Sequence, residues 1–148
     1  MAKPGAGLAA RFRRAVATEA DAQRARKEAE QRRRDAARAA RDGLLRDLAE
    51  FGRELGFPTV HVATDIVKLT HDGHRLELQA EGDEEIHVDF EGRGDAPFRL
   101  YREPQLADKW VLSFRRRGQE HRLLLFDQGL EELLVLGLRL PRPDPDAS

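Results

Sequence analysis

The stretch VKLTHDGHRLELQA, residues 67–80, decides the fold class. Val67 and Leu69 alternate with polar neighbours, Asp72-Gly73 follows, and Leu76, Leu78 and Ala80 resume the alternation. Period two on both sides of Asp-Gly is the strongest short-range signal of a β-hairpin. The favoured two-residue turn needs positive φ at both central positions, and its twist matches that of the strands it joins. Such a hairpin sets His71 opposite His74.

Working outward, the same period recurs at Val60/Val62, Ile86/Val88/Phe90, Phe98/Leu100, Trp110/Leu112/Phe114 and Leu123/Leu125. The separators carry turn chemistry: Gly82-Asp83, Glu91-Gly92 with Gly94, Glu103-Pro104 and Arg117-Gly118. Strands joined by such short links form an antiparallel meander, here of about six or seven strands, with one face buried and one wet.

Ahead of the strands the period is helical. From about Gly7 to Leu55 the chain is dominated by Ala, Arg, Glu, Asp and Gln, mostly strong helix formers. If continuous, that helix is about 70 Å long at about 1.5 Å per residue. Leu44, Leu48, Phe51 and Leu55 form a large apolar stripe that needs a partner, most simply the sheet. Gly56 is the expected C-cap, and Gly43 is a candidate bend. After the strands, Asp127 is a candidate N-cap for a short closing helix burying Leu130, Leu133, Leu134 and Leu138; a last strand through 136–140 competes for the same residues. The expected class is therefore α+β: a long N-terminal helix, the meander and a short C-terminal helix. The expected division is a disordered 1–6, a projecting helical arm over 7–42, a compact domain over 43–140 and a disordered tail over 141–148.

Composition excludes several chemistries. The chain has no Cys, which removes disulfides, thiolate metal sites and cysteine nucleophiles. Its only serines are Ser113, inside a strand, and Ser148, and neither lies in a nucleophile elbow. No Gly-rich segment leads from a strand into a helix, as a phosphate-cradling loop requires. No apolar run approaches the roughly 18–20 residues that span a bilayer. Residues 1–18 are basic and free of acids, like a transit peptide, but serine is nearly missing and acids follow. A cytoplasmic protein is expected.

Charge is uneven. Residues 1–60 hold 14 Lys/Arg against 9 Asp/Glu, and the rest hold 12 against 18, so a net charge of −1 hides a basic front and an acidic back. Arg outnumbers Lys 22 to 4 and Asn is absent, a bias of GC-rich coding that weakens Arg content as a sign of phosphate binding.

Three sets of residues are candidates for function. Leu8, Phe12, Ala15, Ala22, Ala25, Ala29 and Ala36, with Ala39 beyond them, recur at helical spacing once Thr18 and Arg32 fill two gaps. That is the spacing of a coiled-coil seam, and it makes the arm a partner-binding surface for a second copy or another protein. Arg32, Arg33 and Arg34, and separately Arg115, Arg116 and Arg117, could contact phosphates, the first cluster being diluted by Glu28, Glu30, Asp35 and Asp42. Membrane-surface binding by Leu8, Phe12 and Val16 with Arg11, Arg13 and Arg14 is a weaker alternative. The histidine pair His71/His74, with Asp72 or His87, offers too few ligands for a zinc site. Glu85, His87, Asp89 and Glu91 share a strand face and are expected to pair with Arg75 or Arg99. The Arg93-Gly94-Asp95 tripeptide reads as a polar turn. No catalytic residue, metal, cofactor or small-molecule substrate is assigned. The expected function is a non-catalytic interaction or assembly module, the alternatives being a nucleic-acid-binding module and an enzyme using sheet carboxylates or histidines.

Overall fold

The structure is a computed structural model that describes residues 5–91 and 97–144. Arg93-Gly94-Asp95, most of the expected loose N-terminus and residues 145–148 of the tail lie outside the described residues. In chain order the elements are α1 (Ala6–Glu54), β1 (Thr59–Val62), β2 (Ile66–His71), β3 (His74–Glu81), β4 (Glu85–Asp89), β5 (Phe98–Glu103), β6 (Lys109–Arg116), β7 (Gln119–Leu124) and α2 (Leu130–Leu138). This is the expected α+β architecture. By compactness the chain divides into two units, Met1–Ala36 and Ala37–Ser148, with the division inside α1.

The described part of the first unit is helix from Ala6 onward. Local interactions sustain it. The Thr18 hydroxyl donates to the Arg14 carbonyl at 2.9 Å, Arg34 meets Glu30 at 3.0 Å and Arg24 meets Asp21 at 3.5 Å. Pairs one turn apart on an exposed helix stabilise by only about 0.2–0.5 kcal/mol each, so Ala, Arg and Glu propensity carries most of the helicity.

The second unit is one seven-stranded antiparallel sheet whose strand order follows the chain, β1-β2-β3-β4-β5-β6-β7. The central hairpin has the predicted register: His71 lies opposite His74, and Asp72 (φ 48°) and Gly73 (φ 78°) supply the two positive-φ positions. The same solution recurs at Arg117 (φ 53°) and Gly118 (φ 75°) between β6 and β7.

One face of the sheet is covered by the 37–54 part of α1 and by α2. Val67, Leu76, Leu78, Ile86, Val88, Leu100 and Leu112 are fully buried there with Leu45, Leu125, Leu133 and Leu138. The rings of Phe98 and Phe114 stack at 4.5 Å, and Phe90 meets Phe98 edge-on at 4.8 Å.

Helix and sheet approach closely at two glycines. A Cβ on Gly52 would lie 2.0 Å from Leu69 Cδ2, and one on Gly137 would lie 2.9 Å from Leu76 Cδ1. α1 ends in a Schellman motif: Gly56 takes φ 78°, its N–H donates to Arg53 O at 3.0 Å, and Phe57 N–H donates to Gly52 O at 3.1 Å.

Several expectations are corrected. The helix runs through Gly43 without a break, and burial on it begins at Ala37. The face toward the sheet is Ala37, Arg41, Leu44, Leu45, Leu48, Ala49 and Gly52, not the Leu44–Leu48–Phe51–Leu55 stripe. Close approach requires small residues in the contact, which turns Phe51 and Leu55 sideways. Val60 and Val62 point away from the core, because Thr59 and His61 stand opposite Leu69 and Val67. Leu125 belongs to a π-helical turn, Leu125–Gly129, that leads into α2. Asp127 sits inside that turn and does not cap it. Residues 133–138 are helix, not strand, and the helix stops where Arg139 adopts φ 58°.

Candidate functional site

The surface with the fewest contacts of its own is the helix before Ala37. Leu8, Phe12, Ala15, Ala22, Ala25, Ala29 and Ala36 are all exposed, as is every other described side chain over 7–36 except the half-buried Ala10. Leu8, Phe12 and Val16, one turn apart, are 47%, 62% and 65% exposed. Single apolar side chains on a surface are ordinary; here three follow one another along one helix face. Among the charged residues along the same segment, Arg14, Glu19, Glu28 and Arg33 have no ion-pair partner within the described chain.

The first arginine cluster winds round the helix. Arg32, Arg33 and Arg34 are exposed, and Arg34 is held by Glu30. The second cluster is split by the strand pleat. Arg115 and Arg122 share the open face of the sheet, Arg116 points to the helix-covered side, and Arg117 occupies the turn. The three consecutive arginines thus present three directions and not one patch, and Glu120 takes Arg122 at 3.3 Å.

The open face of the sheet carries the carboxylates singled out in β4. Glu85 pairs across strands with Arg99 at 3.2 Å, as expected, whereas Arg75 lies 3.9 Å from Glu77 of its own strand and not from a β4 carboxylate. His87 lies 3.9 Å from Glu81. His71 sits 3.4 Å from the Asp72 carboxylate and its ring lies 4.6 Å from that of Phe57. His61, turned to the covered side, has a buried Nε2 without a hydrogen-bond partner. Among the described residues, no three His, Asp or Glu side chains are grouped to hold a metal ion, and no helix is long and apolar enough to cross a membrane.

Sequence reasoning missed an apolar groove of about 410 Å³ between the end of α1 and α2. It is lined by Phe51 and Leu55 of α1 and by Leu130 and Leu134 of α2, with Phe126, Leu140 and the acidic Asp127 and Glu131. Leu55 is 41% and Phe126 68% exposed. The signal lies in the Phe51/Leu55 half of the helical stripe, which periodicity alone points toward the sheet. Near the groove, Glu132 holds Arg142 at 2.5 Å, and that hydrogen bond raises the guanidinium above its ordinary value.

The buried Arg41 is structural. Its guanidinium donates to the Gly82 carbonyl in the β3–β4 turn and meets Asp42 at 3.0 Å, while Arg38 pairs with Asp83 of the same turn at 3.2 Å. Comparison with known proteins finds no matching family model, no matching curated protein and no matching solved structure.

Proposed function

We propose that this protein is a non-catalytic interaction or assembly module. Its helical segment before Ala37 pairs with another helix, and its sheet domain serves as the folded head. One observation carries the reading: about eight turns of helix with every described side chain but one exposed or nearly so, and with Leu8, Phe12 and Val16 uncovered on one face. In proteins most helical stability comes from packing an amphipathic face, so a helix of this length without packing is an unused surface.

Sedimentation of the full chain across a wide concentration range tests the self-association form of the proposal. A mass that rises with concentration, and falls back when Phe12 becomes Glu, supports it. A full-length chain that sediments as a monomer at tens of micromolar overturns it.

A second reading uses Arg115, Arg116 and Arg117, which point in three directions but are all exposed and have no ion-pair partner within the described chain. As a nucleic-acid module the protein would bind DNA or RNA at low salt, lose that binding as salt rises, and lose it when the three become Ala. No retention on either nucleic acid at low salt removes this reading.

A further inference from the structure

We infer that a second copy of this chain pairs with the 8–36 helix in parallel and in register. This rests on the self-association reading above and adds the orientation of the two helices. Leu8 and every seventh residue after it share one line of the helix, which in a coiled coil is position a. In that frame the charged residues at the flanking positions g are Arg14, Asp21, Glu28 and, at the end of the segment, Asp35, while the flanking positions e are Phe12, Glu19, Arg26 and Arg33. The first three g residues have a charged e partner within the segment.

In a parallel in-register pair each g residue meets the second copy's e residue five positions further along the chain. Arg14 then meets the second copy's Glu19, Asp21 meets its Arg26, and Glu28 meets its Arg33. All three are opposite charges, and the twofold symmetry doubles them. An antiparallel pair centred on Ala22 brings g against g and e against e instead. Asp21 would then face the second copy's Asp21 at the centre of the contact. Of these two arrangements, only the parallel one brings no like charges together.

Apolar size points the same way. The large exposed side chains of the segment, Leu8, Phe12 and Val16, lie at one end. Parallel pairing sets Leu8 at position a against its own copy, with Phe12 beside it at position e. Antiparallel pairing would set each set against Glu28 to Ala36 of the other copy, where no large apolar side chain waits. The line at position d, Arg11, Thr18, Ala25 and Arg32, is mostly polar, so the pair is weak and depends on the flanking charges.

The test uses the full chain, in which the absence of native Cys makes any disulfide informative. Ala15→Cys and Ala29→Cys are made separately, oxidised separately and as an equimolar mixture, and sedimented before oxidation. Parallel pairing predicts an efficient homodisulfide in each single variant. Glu28→Arg, which turns two attractions into repulsions, should weaken association by about tenfold at low salt, and adding Arg33→Glu should restore it. Cross-linking confined to the mixture overturns the parallel arrangement and leaves the self-association reading intact. A dimer that cross-links in none of the three samples places the contact elsewhere and overturns both. A monomer at every concentration also overturns both. A Glu28→Arg variant that associates as well as the parent overturns the charge argument.

Discussion

Replacing each of two helix glycines in α1 by alanine should move stability in opposite directions. At Gly43 an added Cβ meets nothing closer than Arg46 Nη2 at 3.8 Å, so Gly43→Ala gains helix propensity, up to about 1 kcal/mol, at no steric cost. At Gly52 the same Cβ lies 2.0 Å from Leu69 Cδ2 and 2.7 Å from Thr59 Oγ1. Leu69 is buried in the core, and Thr59 Oγ1 is committed to the Phe57 carbonyl at 2.9 Å. Neither neighbour can give way without disturbing its surroundings, so the helix must lift from the sheet. Overpacking of this kind costs about 1–3 kcal/mol. The propensity gain is common to both variants and cancels, so the difference between them measures the steric term alone, about 1–3 kcal/mol. Urea unfolding followed by the fluorescence of Trp110, the only tryptophan, reports on the sheet domain without interference from the long helix. Midpoints that shift together, or a Gly52→Ala protein more stable than Gly43→Ala, would refute the close approach of helix and sheet at Leu69.

Arg41→Met should destabilise by about 1–3 kcal/mol, because it strands the Gly82 carbonyl, whereas Asp83→Ala at the exposed Arg38 pair should cost under about 1 kcal/mol; the same urea experiment must rank them in that order. Arg32→Leu removes a charge from the seam and should tighten self-association by about tenfold, read as a lower concentration for the rise in sedimenting mass; an unchanged profile counts against pairing along that line. Phe126→Ser should leave the unfolding midpoint within about 0.5 kcal/mol while reducing the binding of an apolar fluorescent dye to the groove, and dye binding that is untouched would show that the groove is not where such ligands sit.

Most of the sheet was legible because its information is local. Alternation identified all seven strands, and Asp72-Gly73 set the register of the hairpin it closes. The errors arose where tertiary contact chooses among locally equivalent options. On α1, two overlapping stripes contain large apolar residues, and periodicity weighs Phe51 and Leu55 above Ala49 and Gly52. Packing against a sheet rewards the small ones, since they let the backbone come close. The same choice hid the groove. Val60 and Val62 alternate like core residues, but nothing in four residues says which parity faces in; the pairing of Thr59 with Leu69 does. The turn ahead of α2 took an unusual wide hydrogen-bonding pattern that no single residue announces, so Asp127 looked like a cap and is not one. The exposed helical residues were legible as a pattern of spacing, since helical period is a local property of the chain.

Strand order identical to chain order has a kinetic consequence. Every strand pairing in the sheet joins chain neighbours, so each hairpin can close as it leaves the ribosome without waiting for a distant segment. The non-local work falls on the ends of the domain: the 37–54 stretch is made before any strand, and α2, which seats Gly137 on Leu76, comes after all of them. Until α2 is made, the sheet's covered side is only partly covered. Completion of that last helix is therefore the event that seals the domain, and truncations within it should leave a chain with native strands and an open core.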